Sequence, residues 1–168
     1  EIIKLFEDTF YENKFGTVGV VNETLPINEA GEADATVKVV EVTPFRLEAE
    51  YTDNRRPDSV TFSDKLEDDL KRRDFTINAI ALKLTPTEAG EGSVAGAGNF
   101  SGEVIDPYDG RGDIKKKLVK TVGNPHERFK EDALRLMRAI RIATEHELVI
   151  DSDTLAAVQS DAHLHKNI

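Results

Sequence analysis

Cysteine is absent from this 168-residue chain. That excludes disulfides, a disulfide-linked partner and thiolate-held metal, and it fits a reducing cytoplasm. No apolar run approaches the length of about eighteen residues that marks a membrane-spanning helix. No basic-then-apolar leader is visible, so no signal peptide is expected. Internal repeats are lacking too. So is a positive balance: 22 Lys+Arg stand against 32 Asp+Glu, a net charge of −10, with a pI near 4.9. Taken whole, that charge argues against a domain that grips nucleic acid by bulk electrostatics. What remains is 39% apolar and 32% charged, enough to build a core in one domain or slightly more. The chain opens at Glu1 inside an apparent helical pattern (Ile2, Ile3, Leu5, Phe6) and stops abruptly at Ile168, as a piece of a longer protein would.

Residues 1–62 read mostly as strands. Stretches 15–21 and 36–45 are β-branched and apolar, and the Pro-, Gly- and acid-rich 22–35 between them predicts a hairpin with an inserted tip. Ser63 and Glu67 flank a predicted helix start, with a spacing one longer than a capping box. The helical pattern runs through Leu66, Leu70, Phe75, Ile77 and Ile80, followed by a strand over 80–84. Residues 85–102 are rich in Gly, Ala, Ser and Glu without periodicity, which predicts a loop. Val104-Ile105 predicts a short strand ahead of a turn at Asp106-Pro107-Tyr108-Asp109-Gly110.

From residue 111 the composition changes. Residues 111–141 hold ten Lys/Arg and four acids, net +6, which leaves −16 for the remainder. Asn124-Pro125-His126-Glu127 predicts a helix start, with Asn as N-cap, Pro at the first helical position and Glu three after the cap. On one continuous wheel, Phe129, Ala133, Leu136, Met137, Ile140 and Ala143 share an apolar arc, and Arg135, Arg138 and Arg141 lie opposite. The expected organisation is an α+β unit over 1–124 and a helical unit over 125–168.

Three constellations could carry chemistry. Asp132 and Arg135, three apart on a helix, would be surface neighbours. A carboxylate beside a guanidinium presents acceptors beside a fork of donors. Cytosine and adenine each show an amino donor next to a ring-nitrogen acceptor, whereas uracil and guanine show the reverse. A rigid Asp–Arg pair could thus accept C and A, and a rejected base would leave buried polar groups unpaired at about 1–3 kcal/mol each. Spacing alone leaves open an ordinary amphipathic helix with solvent-facing ion pairs. In Lys71-Arg72-Arg73-Asp74-Phe75-Thr76-Ile77-Asn78-Ala79, adjacent arginines point to different faces. One could reach a phosphate while the other pairs locally, and Asn78 could serve a ribose. An ordinary helix end with solvated arginines would look the same. Glu41, between Val40 and Val42, could face a metal or nucleotide from a sheet surface, or simply solvent. Arg111-Gly112-Asp113 matches an integrin-binding tripeptide, but a turn into a helix explains it. His163 and His165 lack a third ligand and are expected to be solvated.

Residues 66–81 (LEDDLKRRDFTINAIA), 105–114 (IDPYDGRGDI) and 122–142 (VGNPHERFKEDALRLMRAIRI) together resemble the class II, bacterial-type CCA-adding tRNA nucleotidyltransferases, with bacterial poly(A) polymerases as near relatives. Phe15-Gly16-Thr17-Val18, 41–46 (EVTPFR) and 51–62 (YTDNRRPDSVTF) fit the CCA-adding branch, and only loops 22–35 and 85–102 fall outside. The resemblance implies an α+β nucleotidyltransferase head of the DNA polymerase β-like fold, with mixed sheet and helices, followed by the start of an all-helical neck. It implies an enzyme that adds C and A from CTP and ATP to the tRNA 3′ end. A CC- or A-adding specialist or a poly(A) polymerase is the neighbouring alternative, and a non-catalytic RNA- or nucleotide-binding module is the alternative of another class. It assigns nucleotide binding to Arg73, Asp74 and Asn78, and to Asp132, Arg135, Arg138 and Arg141, with Asp132 and Arg135 at the base edge. Glu41 matches a third catalytic carboxylate. Asp106 to Gly110 resembles a hinge motif, and Lys120 stands where the family usually has Arg. The family's magnesium is held mainly by an Asp-x-Asp expected upstream of residue 1, so the only metal ligand expected within the chain is Glu41. Residues 1–168 alone are therefore expected to be inactive.

Overall fold

β-Branched residues build a small antiparallel sheet early in the chain. Val18–Val21 (β2) lies between Thr9–Tyr11 (β1) and Val39–Val42 (β3) in a computed structural model that describes residues 1–11, 16–22, 31, 38–49, 59–87 and 100–167. β2 and β3 are the predicted hairpin pair, shorter than expected, and the tip between them lies mostly outside the described residues. Gly19 sits between Phe10 and Glu41, and a Cβ there would fall 2.5 Å from the Phe10 ring, so glycine makes room for that ring. The helical opening expected at residue 1 is a single 3-10 turn, Ile2–Lys4.

Two further hairpins follow. Arg46–Ala49 (β4) pairs with Ser59–Phe62 (β5), and Ala81–Pro86 (β6) pairs with Phe100–Ile105 (β7), both antiparallel. β6 and β7 extend into the stretch expected to be a loop, whose middle lies outside the described residues. Between the hairpins, Leu66–Lys71 (α1) carries Glu67, Asp68 and Asp69 in its first turn, which complements the positive end of its dipole. Ser63 accepts from the Lys65 N–H and donates to Asp68 at 2.6 Å, so Asp68 rather than Glu67 completes the start signal.

The helical pattern expected to reach Ile80 ends at Lys71. Phe75 is extended and bridges Thr121, and only a 3-10 turn, Thr76–Asn78, follows. On an α-helix Phe75 and Ile77 would point about 200° apart. Leaving the helix lets both join one core with Val119, Ala139 and Ile142. Main-chain bonds fix this course: Thr76 N–H to Lys120 O at 2.9 Å, and Val122 N–H to Asp74 O at 3.0 Å.

Gly110–Lys115 (α2) contains the Arg111-Gly112-Asp113 tripeptide, with Asp113 buried and accepting from Thr76 Oγ1 at 2.7 Å. Leu118–Val119 (β8) then pairs in parallel with Val149–Ile150 (β9). Pro125–Glu131 (α3) starts as predicted, with the Asn124 carboxamide oxygen accepting from His126 and Glu127 N–H. Such caps contribute about 1 kcal/mol.

The helix expected to run on through residue 143 is interrupted. Asp132 is extended (φ −142°, ψ 106°), and Leu134–Glu145 (α4) begins afresh. A single wheel therefore misassigned several faces. Met137 and Ile140 were placed on the apolar arc but are 57% and 45% exposed, while Arg135, placed opposite, is buried. Ser152–Ser160 (α5) packs on α3, and a final 3-10 turn, Ala162–Asn167, carries His163 and His165, both exposed and bonded to carbonyls one turn back. The core containing Phe75 and Val119 also contains Ala139 and Ile142, so residues from both sides of position 124 share it. Among the described residues no helix is long and apolar enough to cross a membrane.

Candidate functional site

The turn after α1 gathers most of the side chains singled out from sequence. Asp69, in α1 and buried, was not among them. Its Oδ1 accepts from Arg72 Nε and Nη2 at 2.9 and 2.6 Å, and its Oδ2 accepts from Arg73 Nε and Nη2 at 3.2 and 2.7 Å. One carboxylate thus holds both adjacent arginines. Spacing could have found it, since Asp69 stands three and four residues before them on a helix. Burial pushes the Asp69 carboxyl pKa up. The hydrogen bonds and charges of Arg72 and Arg73 outweigh that, so it lies below its ordinary value. A carboxyl with a depressed folded pKa contributes stability above its unfolded pKa and loses it as pH falls through the folded one. Acid unfolding followed by circular dichroism is therefore expected to show wild type losing stability relative to Asp69→Asn as pH drops past about 4. Parallel acid profiles would mean the arginine pairs add no stability.

Asp74 is buried at the start of the 3-10 turn. Its Oδ1 accepts from Phe75 N–H at 2.9 Å and Asn78 Nδ2 at 3.1 Å. Its Oδ2 accepts from Arg138 Nε at 2.7 Å and Nη2 at 2.6 Å. Asp74, Asn78 and Arg138 are thus brought together although 64 residues separate the first from the last.

Arg135 joins the same turn from α4. Its Nη1 donates to Glu131 Oε2 at 2.7 Å and Arg128 O at 3.3 Å, and its Nη2 donates to Arg72 O at 3.0 Å. Three of the five N–H donors of a guanidinium are used this way, which leaves two. Glu131 also pairs with Arg128, whose Nη1 reaches Lys71 O at 3.2 Å. Arg128 and Arg135 therefore share one carboxylate and both bond carbonyls at the end of α1, where the dipole favours cations. Glu131 and Arg128 were missed because a continuous helix would have left them on a solvent face. Asp132 and Arg135 are not neighbours on one unbroken helix surface, contrary to expectation. Asp132 occupies the break itself, where its Oδ1 accepts from Leu134 N–H at 2.9 Å and caps α4. Arg141, one turn beyond Arg138, is exposed and 3.8 Å from Glu145.

The expected hinge residues support the turn from behind. Asp106 accepts from Gly110 and Arg111 N–H at 2.7 and 2.9 Å, and Gly110 lies against the Thr76 carbonyl. Position 120 contributes its carbonyl to Thr76 N–H while its side chain is exposed. A lysine in place of arginine leaves that contact intact.

Glu41 lies elsewhere, exposed on β3 opposite Gly19. Among the described residues no group of three or more Asp, Glu or His side chains could hold a metal ion. With Glu41 as a single exposed carboxylate, these residues do not by themselves fit a magnesium site. A cavity of about 520 Å³ between Phe45, Leu66, Leu82 and Ile105 touches none of the expected site residues.

Residues 2–120 match a family described as the Poly A polymerase head domain. A CCA-adding enzyme of Limosilactobacillus reuteri is 49% identical over 128 residues, spanning 76% of this chain and 28% of its own. One of Geobacillus kaustophilus is 41% identical, spanning 100% of this chain and 35% of its own. A crystal structure of the Bacillus stearothermophilus CCA-adding enzyme in complex with CTP superposes with a TM-score of 0.69 at 37% identity, over 99% of this chain and 33% of that one. A tRNA nucleotidyltransferase complexed with a primer tRNA and an incoming ATP analog shares the fold, with a TM-score of 0.59 at 22% identity over 94% of this chain and 35% of that one. The chain thus spans about a third of the length of the relatives it matches.

Proposed function

The chain belongs to the Poly A polymerase head-domain family, on its class II CCA-adding branch, and from that premise we propose that the protein carrying it adds C and A to tRNA 3′ ends. The observation that carries this reading is the convergence of Arg73, Asp74, Asn78, Arg135 and Arg138 on one turn, with Asp132 at the adjoining helix break. Asp132 and Arg135 meet the base edge, Arg135 through the two donors it has left. Arg73 meets the triphosphate, while Asp74 and Asn78 serve the sugar side. Arg141 adds positive charge farther along α4. The tRNA 3′ hydroxyl attacks the α-phosphorus of CTP or ATP. A new oxygen–phosphorus bond forms, the α–β bridge breaks and pyrophosphate leaves.

Asp106, Gly110 and Lys120 act as a hinge between a head over 1–124 and a neck over 125–168. Magnesium supplies charge neutralisation in such transfers, and the described residues would contribute at most one ligand to it, Glu41. The work takes place in the cytoplasm. Purified residues 1–168 are expected to add no CMP to a tRNA ending before CCA, and addition by them in magnesium would contradict that.

The function itself is tested with full-length protein, magnesium and tRNA lacking its last three nucleotides, given CTP, ATP or both. Extension by three residues only when both are present is the expected result. With both nucleotides present, a stop after two residues identifies a CC-adding specialist, addition of one A only to a tRNA already ending in CC an A-adding one, and a long adenylate tail a poly(A) polymerase. No extension with retained nucleotide binding would favour the non-catalytic module.

A further inference from the structure

We infer that Asp69 is a positioning residue that sets the Arg73 guanidinium for the triphosphate, an assignment that rests on the nucleotide-binding reading above. Asp69 is 3% exposed, and its carboxylate is divided between two neighbours. Oδ1 holds Arg72, whose own carbonyl accepts from Arg135, and Oδ2 holds Arg73 through Nε and Nη2. The Arg73 side chain is 41% exposed, so the pair has a buried anchor and an open end. Two of the five Arg73 donors are fixed by Asp69, and among the described residues the other three have no partner. Both donors meet the single oxygen Oδ2, which tethers the head of the side chain beside the buried carboxylate. A free arginine would give up substantial rotamer entropy on meeting a phosphate, and much of it has already been lost here. The residue does not itself touch an anion, since its charge would repel one. Its effect passes through Arg73. The triphosphate is common to CTP and ATP, so loss of Asp69 should weaken both alike and leave base choice alone.

The test uses the full-length protein with a tRNA primer, measuring KM and kcat for CTP and for ATP in wild type, Asp69→Asn, Arg73→Ala and the double variant. Asp69→Asn is expected to raise KM about tenfold for both nucleotides, with the CTP:ATP ratio unchanged and discrimination against UTP retained. In the Arg73→Ala background it should add no further rise, because the residue acts only through that side chain. Arg73→Lys keeps the charge and leaves the Arg72–Asp69 pair in place but cannot make the paired bonds to Oδ2, and it should reproduce the equal rise even if Asp69→Asn fails to fold. A wild-type KM in Arg73→Lys, unequal effects on CTP and ATP, or additive effects in the double variant would each overturn the assignment. If wild type binds neither CTP nor ATP, the nucleotide-binding reading itself fails; if wild type binds both and Asp69→Asn matches it, only the role of Asp69 fails.

Discussion

Arg135→Ala in the full-length protein is expected to weaken binding of CTP and ATP by about five- to a hundredfold and to erase the preference for them over UTP and GTP. Arg135 is 8% exposed and spends three donors inside the protein, on Glu131, Arg128 O and Arg72 O. That leaves its remaining donors with little freedom, and a fixed donor pattern is what discriminates one base edge from another. An unpaired polar group at a buried edge costs about 1–3 kcal/mol, and about 1.4 kcal/mol is tenfold in affinity. The same substitution removes one of two arginines from Glu131 and one bond from the end of α1. Glu131 keeps Arg128, so the variant should fold with a lowered melting temperature. Arg135→Lys separates charge from shape: it keeps the cation, loses the fork, and should also lose discrimination. Asp132→Ala should relax base choice in the same direction, and it additionally removes the cap on Leu134 N–H at about 1 kcal/mol. Calorimetric titration of each variant with CTP, ATP, UTP and GTP measures all of this. Retained discrimination in Arg135→Ala would place base reading elsewhere.

Gly110→Ala carries the largest expected cost to stability. A Cβ at this position would stand 2.2 Å from Thr76 O and 2.8 Å from Thr76 C, which are backbone atoms, with Ile80 Cγ1 at 2.9 Å. Thr76 cannot yield easily. Its N–H bonds Lys120 O, its carbonyl accepts from Ala79 N–H, and its hydroxyl donates to buried Asp113. Overpacking of a filled interior costs about 1–3 kcal/mol and sometimes more, and here the relief must come from moving α2 or the 3-10 turn. Either movement disturbs the turn that holds Asp74 and Asn78. The variant is expected to melt several degrees below wild type and to bind nucleotide more weakly. Thermal unfolding at wild-type temperature, with unchanged CTP affinity, would show that α2 and the turn are not rigidly packed.

The elements with purely local causes were legible in the sequence. Asn124 and Pro125 start α3 as expected, because a cap and a fixed φ act within three residues. The paired strands β2 and β3 follow from β-branched runs, and the α+β class follows from both. The two misread helices share another cause. Phe75 leaves α1 because its partners, Val119 and Ala139, lie far along the chain, and no local period reports that. Asp132 breaks the α3–α4 run although 125–143 has good helical periodicity. Its side chain caps Leu134 and its extended backbone turns α4 so that Arg135 meets Arg72 O. A wheel drawn through that break put Met137 and Ile140 inside and Arg135 outside, the reverse of their exposures. The residues proposed for the site come from family motifs rather than from spacing, and five of them, Arg73, Asp74, Asn78, Arg135 and Arg138, meet at one turn. Asp69, Arg128 and Glu131 are not among them, because their part is to hold other side chains. The net charge of −10 is an average that hides this turn, where Asp69 and Glu131 each hold two arginines and Asp74 holds one more, Arg138.

On the proposed reading, Asp132 and Arg135 select cytosine and adenine. Equilibrium affinities of the full-length protein for CTP, ATP, UTP and GTP, measured side by side at one ionic strength, test it most directly. CTP and ATP are expected to bind about five- to a hundredfold more tightly than UTP and GTP, the equivalent of one mispaired group. Four equal affinities would contradict it.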